Sequence, residues 1–281
     1  MTYTAVFFHA HPDDEALYTG GTMARLAGEG HRVVLVTATL GEAGLSSADA
    51  SRAAPLGAVR QSELEMSASA LGCARMVLLG LGDSGMNGST AGGFARCDPR
   101  DPAARLAAVL RDEEADVLVT YDSNGGYGHP DHLQVHRVGT IAAEVARTRL
   151  ELYATVDRDL LKRALTVAGW ARRTPEQFRS QRVENTYAAR TEITHRVDVR
   201  DYLPQKRAAL EAHCSQAVGG QSQRTLSWLL SLPDPLFRIV LGREWFIEAG
   251  RTPGRRKIGD PLLSLRQGGR SGITVHADVR R

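Results

Sequence analysis

The chain has 281 residues, 42% of them hydrophobic and 24% charged, with a formal net charge of +3 from 35 Lys+Arg against 32 Asp+Glu. It is long enough to bury a sizeable core and has the composition of an ordinary soluble globular protein. The near balance of charge, with basic residues scattered along the chain, predicts no nucleic-acid or other polyanion partner, and no run approaches the roughly 18 apolar residues that span a bilayer.

Short apolar runs alternate with segments of helical period. The runs are TAVFFHA (4–10), RVVLVTAT (32–39), ARMVLLG (74–80), DVLVTY (116–121) and LELYATV (150–156). Near-continuous apolarity rich in Val and Leu is the pattern of strands covered on both faces. Between them the spacing predicts helices over 14–28, 59–71, 101–113 and 131–147, the third with Asp101 as N-cap and Pro102 at the first helical position. Strand and helix alternating in this way predict a mostly parallel sheet with right-handed crossovers and helices on both faces, a Rossmann-like doubly wound α/β fold. Beyond 157 the pattern is less legible. Segments 158–171 and 200–213 read as helices, REWFIEAG (243–250) as a late strand and 251–281 as a loosely ordered tail, all within one domain spanning 1–281.

The loops are uneven. LGEAGLSSADASRAAPLG (40–57), LGDSGMNGSTAGGFARCDPRDP (81–102) and DSNGGYGHP (122–130) follow the carboxyl ends of strands, whereas GEGH (28–31) on the opposite edge is short. Open α/β sheets bind ligands outside the carboxyl ends of their strands, where the strand order reverses, so this edge is the expected crevice. Cys73, Cys97 and Cys214 lie far apart without CxxC spacing and describe no disulfide framework, and Cys73 beside a strand reads as inert. The start, MTYTAVFFHAHPDDE, has no basic segment and does not read as a signal peptide, so the expectation is a cytoplasmic protein.

Two clusters carry the chemistry. The first strand ends in HAHPDDE, with His11, Asp13, Asp14 and Glu15; the fourth is followed by YGHPDHLQVH, with Tyr127, His129, Asp131, His132 and His136. Strands one and four can be neighbours at the switch point, which would set the clusters face to face. His11, one Asp of the first cluster and His132 make two imidazoles and a carboxylate, and three protein ligands with an open position is the pattern of a catalytic zinc site. A carboxylate adjacent to a ligand but not bound can serve as base, and Asp13 and Asp14 provide such a pair. Glu15 reads more simply as the acidic first turn of a helix, and His136 as packing.

AHPDDE (10–15) followed by HPDH (129–132) resembles the LmbE-like, or PIG-L, deacetylase family, over roughly residues 4–140. That resemblance implies His11, Asp14 and His132 as ligands of Zn2+, with Fe2+ able to occupy the same site, and Asp13 as general base. It further implies that His129 stabilises the oxyanion or protonates the leaving amine, that Asp131 orients His129, and that Tyr127 closes over the site. Arg60 and Asp83 resemble a sugar-contacting pair. Leu45, in TLGEAGL (39–45), departs from a more acidic loop in the family member that carries that pair and points to a different aglycone.

The expected activity is removal of an N-acetyl group from an N-acetylglucosamine-type substrate, a small amino-sugar conjugate. The alternatives are an amidase acting on a larger N-acyl group, a two-His-one-carboxylate iron oxygenase and a non-catalytic Rossmann-like binding module. The last would need a glycine-rich phosphate loop where HAHPDDE stands.

Overall fold

The apolar runs become strands because a chain buried on both faces has no polar side to present. In a computed structural model, which describes residues 1–42, 56–170, 186–213, 215 and 221–268, β1 (Thr4–His9), β2 (Arg32–Thr37), β3 (Arg75–Leu78), β4 (Val117–Tyr121) and β5 (Leu150–Thr155) are parallel neighbours. Val6, Phe7, Phe8, Val34, Leu35 and Leu118 are fully buried along their middle. The strand order is β3-β2-β1-β4-β5-β7-β6, so the expected switch point lies between β1 and β4, with Phe7 level with Val119.

Crossovers leave β1 and β4 in opposite directions, and right-handedness therefore puts their helices on opposite faces. α1 (Gly20–Gly28) and α2 (Leu56–Ala70) pack against α6 (Leu203–Ala212), while α3 (Arg100–Asp112) packs against α4 (Pro130–Ala146); α5 (Arg158–Trp170) follows β5. Two helix expectations need correction. The segment 14–28 opens as a π-helical turn, Glu15–Thr19, before α1 begins. In α3 the cap is not Asp101: the Asp98 carboxylate accepts from the Arg100 amide at 3.0 Å, and Asp101 lies within the first turn.

The C-terminal region completes the sheet. β7 (Arg243–Glu248) pairs antiparallel with β5 and with β6 (His195–Asp198), and helices Gln221–Leu230 and Asp234–Leu241 precede it. Residues 251–268 are not the expected loose tail. Ile258 exchanges backbone bonds with Thr194 and Arg196, and Leu262 and Leu265 are buried. Residues 269–281, Leu45 and Cys214 lie outside the described residues.

The same region braces the start of α1. Glu244 of β7 accepts from the Gly21 and Thr22 amides at 2.8 Å each, placing a carboxylate at the N-terminus of α1, and Lys206 of α6 pairs with it; both side chains are buried. Gly21 is required there, because a Cβ would stand 2.5 Å from Val199 Cβ. Sequence dispersion of the basic residues does not persist in space: Arg196, Arg243, Arg255 and Arg256 line one concavity of about 530 Å³ beside β6.

Candidate active site

β1 and β4 end level with each other, and their last residues tie the two loops together. The buried His9 ring places Nδ1 3.1 Å from the Tyr121 hydroxyl and Nε2 2.9 Å from Thr19 Oγ1, and the Ala10 amide donates to the same Tyr121 hydroxyl at 3.1 Å. Burial brings His9 down to about 4 and keeps it neutral. The chain then turns through Asp13 at φ +104°, a backbone conformation that L residues rarely adopt. Glu15 is fully buried: Oε2 accepts from the Asp13 amide at 3.0 Å, while Oε1 accepts from Ser67 Oγ at 2.5 Å and faces His213 Nε2 at 2.6 Å. Glu15 does stand in the first turn of the helical segment, as expected, and is in addition a buried carboxylate with three partners.

The second cluster is set by glycines and a helix start. Gly125 and Gly126 adopt φ near +60°, and a Cβ on Gly126 would stand 2.8 Å from the Tyr18 hydroxyl. The turn lifts Tyr127 to the rim, 40% exposed, with its ring 4.9 Å from that of His132. His129 caps α4, its Nδ1 accepting from the Asp131 amide at 3.2 Å, with Pro130 in the first turn. An Nδ1 that accepts leaves the imidazole proton on Nε2. Burial, with His11 and His132 alongside, lowers His129 to about 4.

The clusters meet as expected. Asp14 Oδ2 stands 3.4 Å from His11 Nδ1 and 3.2 Å from His132 Nε2. His132 is fully buried and stacks on Tyr121 at 4.2 Å and 9°; neither ring nitrogen has a hydrogen-bond partner among the described residues. An imidazole left so is costly unless something else occupies its lone pair. Zn–N and Zn–O bonds of about 2.0–2.1 Å put neighbouring tetrahedral ligand atoms roughly 3.3 Å apart, close to the spacing at Asp14. Donor atoms of His11, His129 and His132 lie within 4.8 Å of one another, as do those of His11, Asp83, His129 and Asp131. Asp14 stands in neither group and joins the cluster through a single oxygen. A set of imidazoles and carboxylates fits Zn2+ or Fe2+.

Three expectations change in detail. The Asp131 carboxylate makes no hydrogen bond to the His129 ring, though it lies within 4.8 Å of it: it accepts from His11 Nε2 at 3.1 Å and from the Ser84 and Ala95 amides at 3.0 Å each, and the hydrogen bond between Asp131 and His129 runs from the Asp131 amide. Arg60 is 4% exposed and donates to the Gly41 carbonyl at 2.7 Å, bracing the loop after β2 rather than opening toward a ligand. Asp83 lies 3.6 Å from His11 Nε2 and accepts from the Gly85 amide at 2.8 Å, so it belongs to the cluster itself. His136 does pack: Nδ1 lies 3.0 Å from the Tyr121 carbonyl and its ring is 4.8 Å from Tyr153. Burial pushes the Cys73 thiol up to about 12, as suits an inert group.

Asp13 is the group left over. Burial and the Asp14 carboxylate push its carboxyl up to about 7, and it makes no side-chain hydrogen bond among the described residues. Tyr121, at the end of an apolar strand one residue from the second loop, was legible in principle as an anchor. His213 was not, since nothing around it patterns with either motif.

The model of the family described as PIG-L, GlcNAc-PI de-N-acetylase, matches residues 6–143, which include both clusters. A 1D-myo-inositol 2-acetamido-2-deoxy-alpha-D-glucopyranoside deacetylase of Rhodococcus opacus is 37% identical, covering 86% of this chain and 96% of the relative. Its counterpart in Acidothermus cellulolyticus is 40% identical over 78% of this chain and 82% of its own length. Among solved structures, the N,N'-diacetylchitobiose deacetylase of Pyrococcus horikoshii superposes with TM-score 0.58 at 18% identity, covering 87% of this chain and 83% of that one. The 4-carboxy-2-hydroxymuconate hydratase GalB of Pseudomonas putida gives 0.57 at 18%, covering 92% of this chain and 100% of its own. Those two likenesses speak to the fold alone, which hosts more than one chemistry. With both motifs inside the matched segment and full-length relatives above 30% identity, the chain belongs to the PIG-L, or LmbE-like, family.

Proposed function

We propose that this protein hydrolyses the N-acetyl group of an N-acetylglucosaminide, releasing acetate and a free amine, with the inositol glycoside named for its relatives as the first substrate to test. The observation that carries the reading is the meeting of His11, Asp14 and His132 beside a carboxyl, Asp13, that makes no side-chain hydrogen bond among the described residues. His11, Asp14 and His132 would hold the ion, with Asp131 fixing the His11 ring from behind as carboxylates do for metal-bound imidazoles. A bound Zn2+ supplies Lewis acidity and lowers the pKa of water to about 7.

The protein's own groups do the rest. Asp13 takes the proton of the attacking water and returns it to the departing amine; a carboxyl near 7 is matched to both tasks. Neutral His129, with its proton on Nε2, donates to the acyl oxygen as charge builds there. Tyr127 at the rim closes over the acyl group and excludes water. Asp83, beside His11, supports a place near the metal edge for a sugar hydroxyl.

The test is amine release from a panel of N-acetylglucosaminides, including the inositol glycoside, by protein stripped of metal and reloaded with Zn2+ or Fe2+. Metal-dependent release is the expected result. Stoichiometric metal with no release from any member would remove the sugar from the reading.

A further inference from the structure

Asp13 holds its φ of +104° only because its surroundings over-determine it. Two bonds hold it: the Asp13 carbonyl accepts from the Leu17 amide at 3.1 Å, within the local turn, and the Asp13 amide donates to the Glu15 side chain, Oε2, at 3.0 Å. Glu15 is in turn gripped by two groups from distant parts of the chain, Ser67 of α2 at 2.5 Å and His213 at the end of α6 at 2.6 Å. Glu15, Ser67 and His213 are all 0% exposed. A buried carboxylate needs fixed partners in place of water, and Ser67 and His213 supply them.

We propose that Glu15, gripped by Ser67 and His213, is the positioning device for Asp13: it locks the Asp13 backbone and so aims its carboxyl at the attacking water. The His213–Glu15 contact gives the C-terminal half of the chain a part in positioning the base, although none of its described residues stands among the metal-ligand candidates. The proposal rests on Asp13 acting as base, and the experiment separates the two.

Glu15→Ala, loaded with zinc, is compared with wild type for kcat, KM, zinc stoichiometry and hydrogen exchange at the Asp13 amide. The expected result is a fall in kcat of about 10- to 100-fold, the scale set by misplacing a catalytic group by an ångström. KM and zinc content stay at wild-type values, and the Asp13 amide exchanges faster. Glu15→Gln, whose amide oxygen still accepts from Asp13, restores most of kcat. Added to Asp13→Ala, the Glu15→Ala change costs nothing further. Wild-type kcat in Glu15→Ala, or a full additional loss on top of Asp13→Ala, overturns the proposal. Should Glu15→Ala not fold, His213→Gln carries the same test, with lower kcat and faster Asp13 exchange expected and wild-type kcat overturning it. Full activity in Asp13→Ala alone refutes the base and is read separately from the exchange measurement.

Discussion

Replacing Asp131 by Asn discriminates between two roles for that carboxylate. In the structure its two oxygens accept three N–H groups, from His11 at 3.1 Å and from Ser84 and Ala95 at 3.0 Å, in a fully buried place. Asn keeps one acceptor oxygen and turns an NH2 toward at least one donor. Hydrogen bonds to a charged group are worth about 1.5–3 kcal/mol, and a donor left facing a donor loses its bond and its solvation, so the apo protein should lose roughly 2–4 kcal/mol. Release of the His11 ring should weaken metal binding about 10- to 100-fold. Urea unfolding of the apo form reads the first quantity, and competition with a chromophoric chelator reads the second. An Asn variant with wild-type zinc affinity and reduced kcat alone would refute this reasoning and return Asp131 to His129.

Four further outcomes follow from the same geometry. Asp13→Ala should keep stoichiometric zinc, measured by elemental analysis, while turnover falls about 10²- to 10⁴-fold; full activity would remove the base. His132→Ala should lose the metal, and unchanged stoichiometry would take it out of the ligand set. Gly126→Ala places a Cβ 2.8 Å from the Tyr18 hydroxyl at φ +60°; about 1–3 kcal/mol of stability should go, with KM raised as Tyr127 shifts, and an unchanged melting temperature and KM would contradict it. Burial raises the Glu151 carboxyl to about 7, so the folded state favours its protonated form and stability falls as pH rises from the unfolded value of 4.5 through about 7. Glu151→Gln should remove that decline, gaining at most about 3 kcal/mol over wild type above pH 7 relative to pH 4; parallel urea curves at both pH values would refute the shift.

Much of the site is legible in the sequence. Val- and Leu-rich runs separated by helical spacing can satisfy their backbone and bury both faces only as a parallel sheet, and that alternation carried the fold class and the switch point between β1 and β4. The same logic placed HAHPDDE and YGHPDHLQVH on one edge, because both follow the carboxyl ends of strands. Those inferences rest on local periodicity, which a sequence displays directly.

What only the tertiary structure decided are the pairings between groups remote in sequence. His213 meets Glu15 across 198 residues, and Glu244 reaches the α1 amides across 223. Asp131 turned to His11 rather than to His129 two residues away, and β7 inserted antiparallel between β5 and β6. Each depends on which surfaces come to face each other once the sheet has formed, and a buried charge finds its counter-charge through space. Periodicity records which face of an element is buried and holds nothing about the residue that will stand opposite.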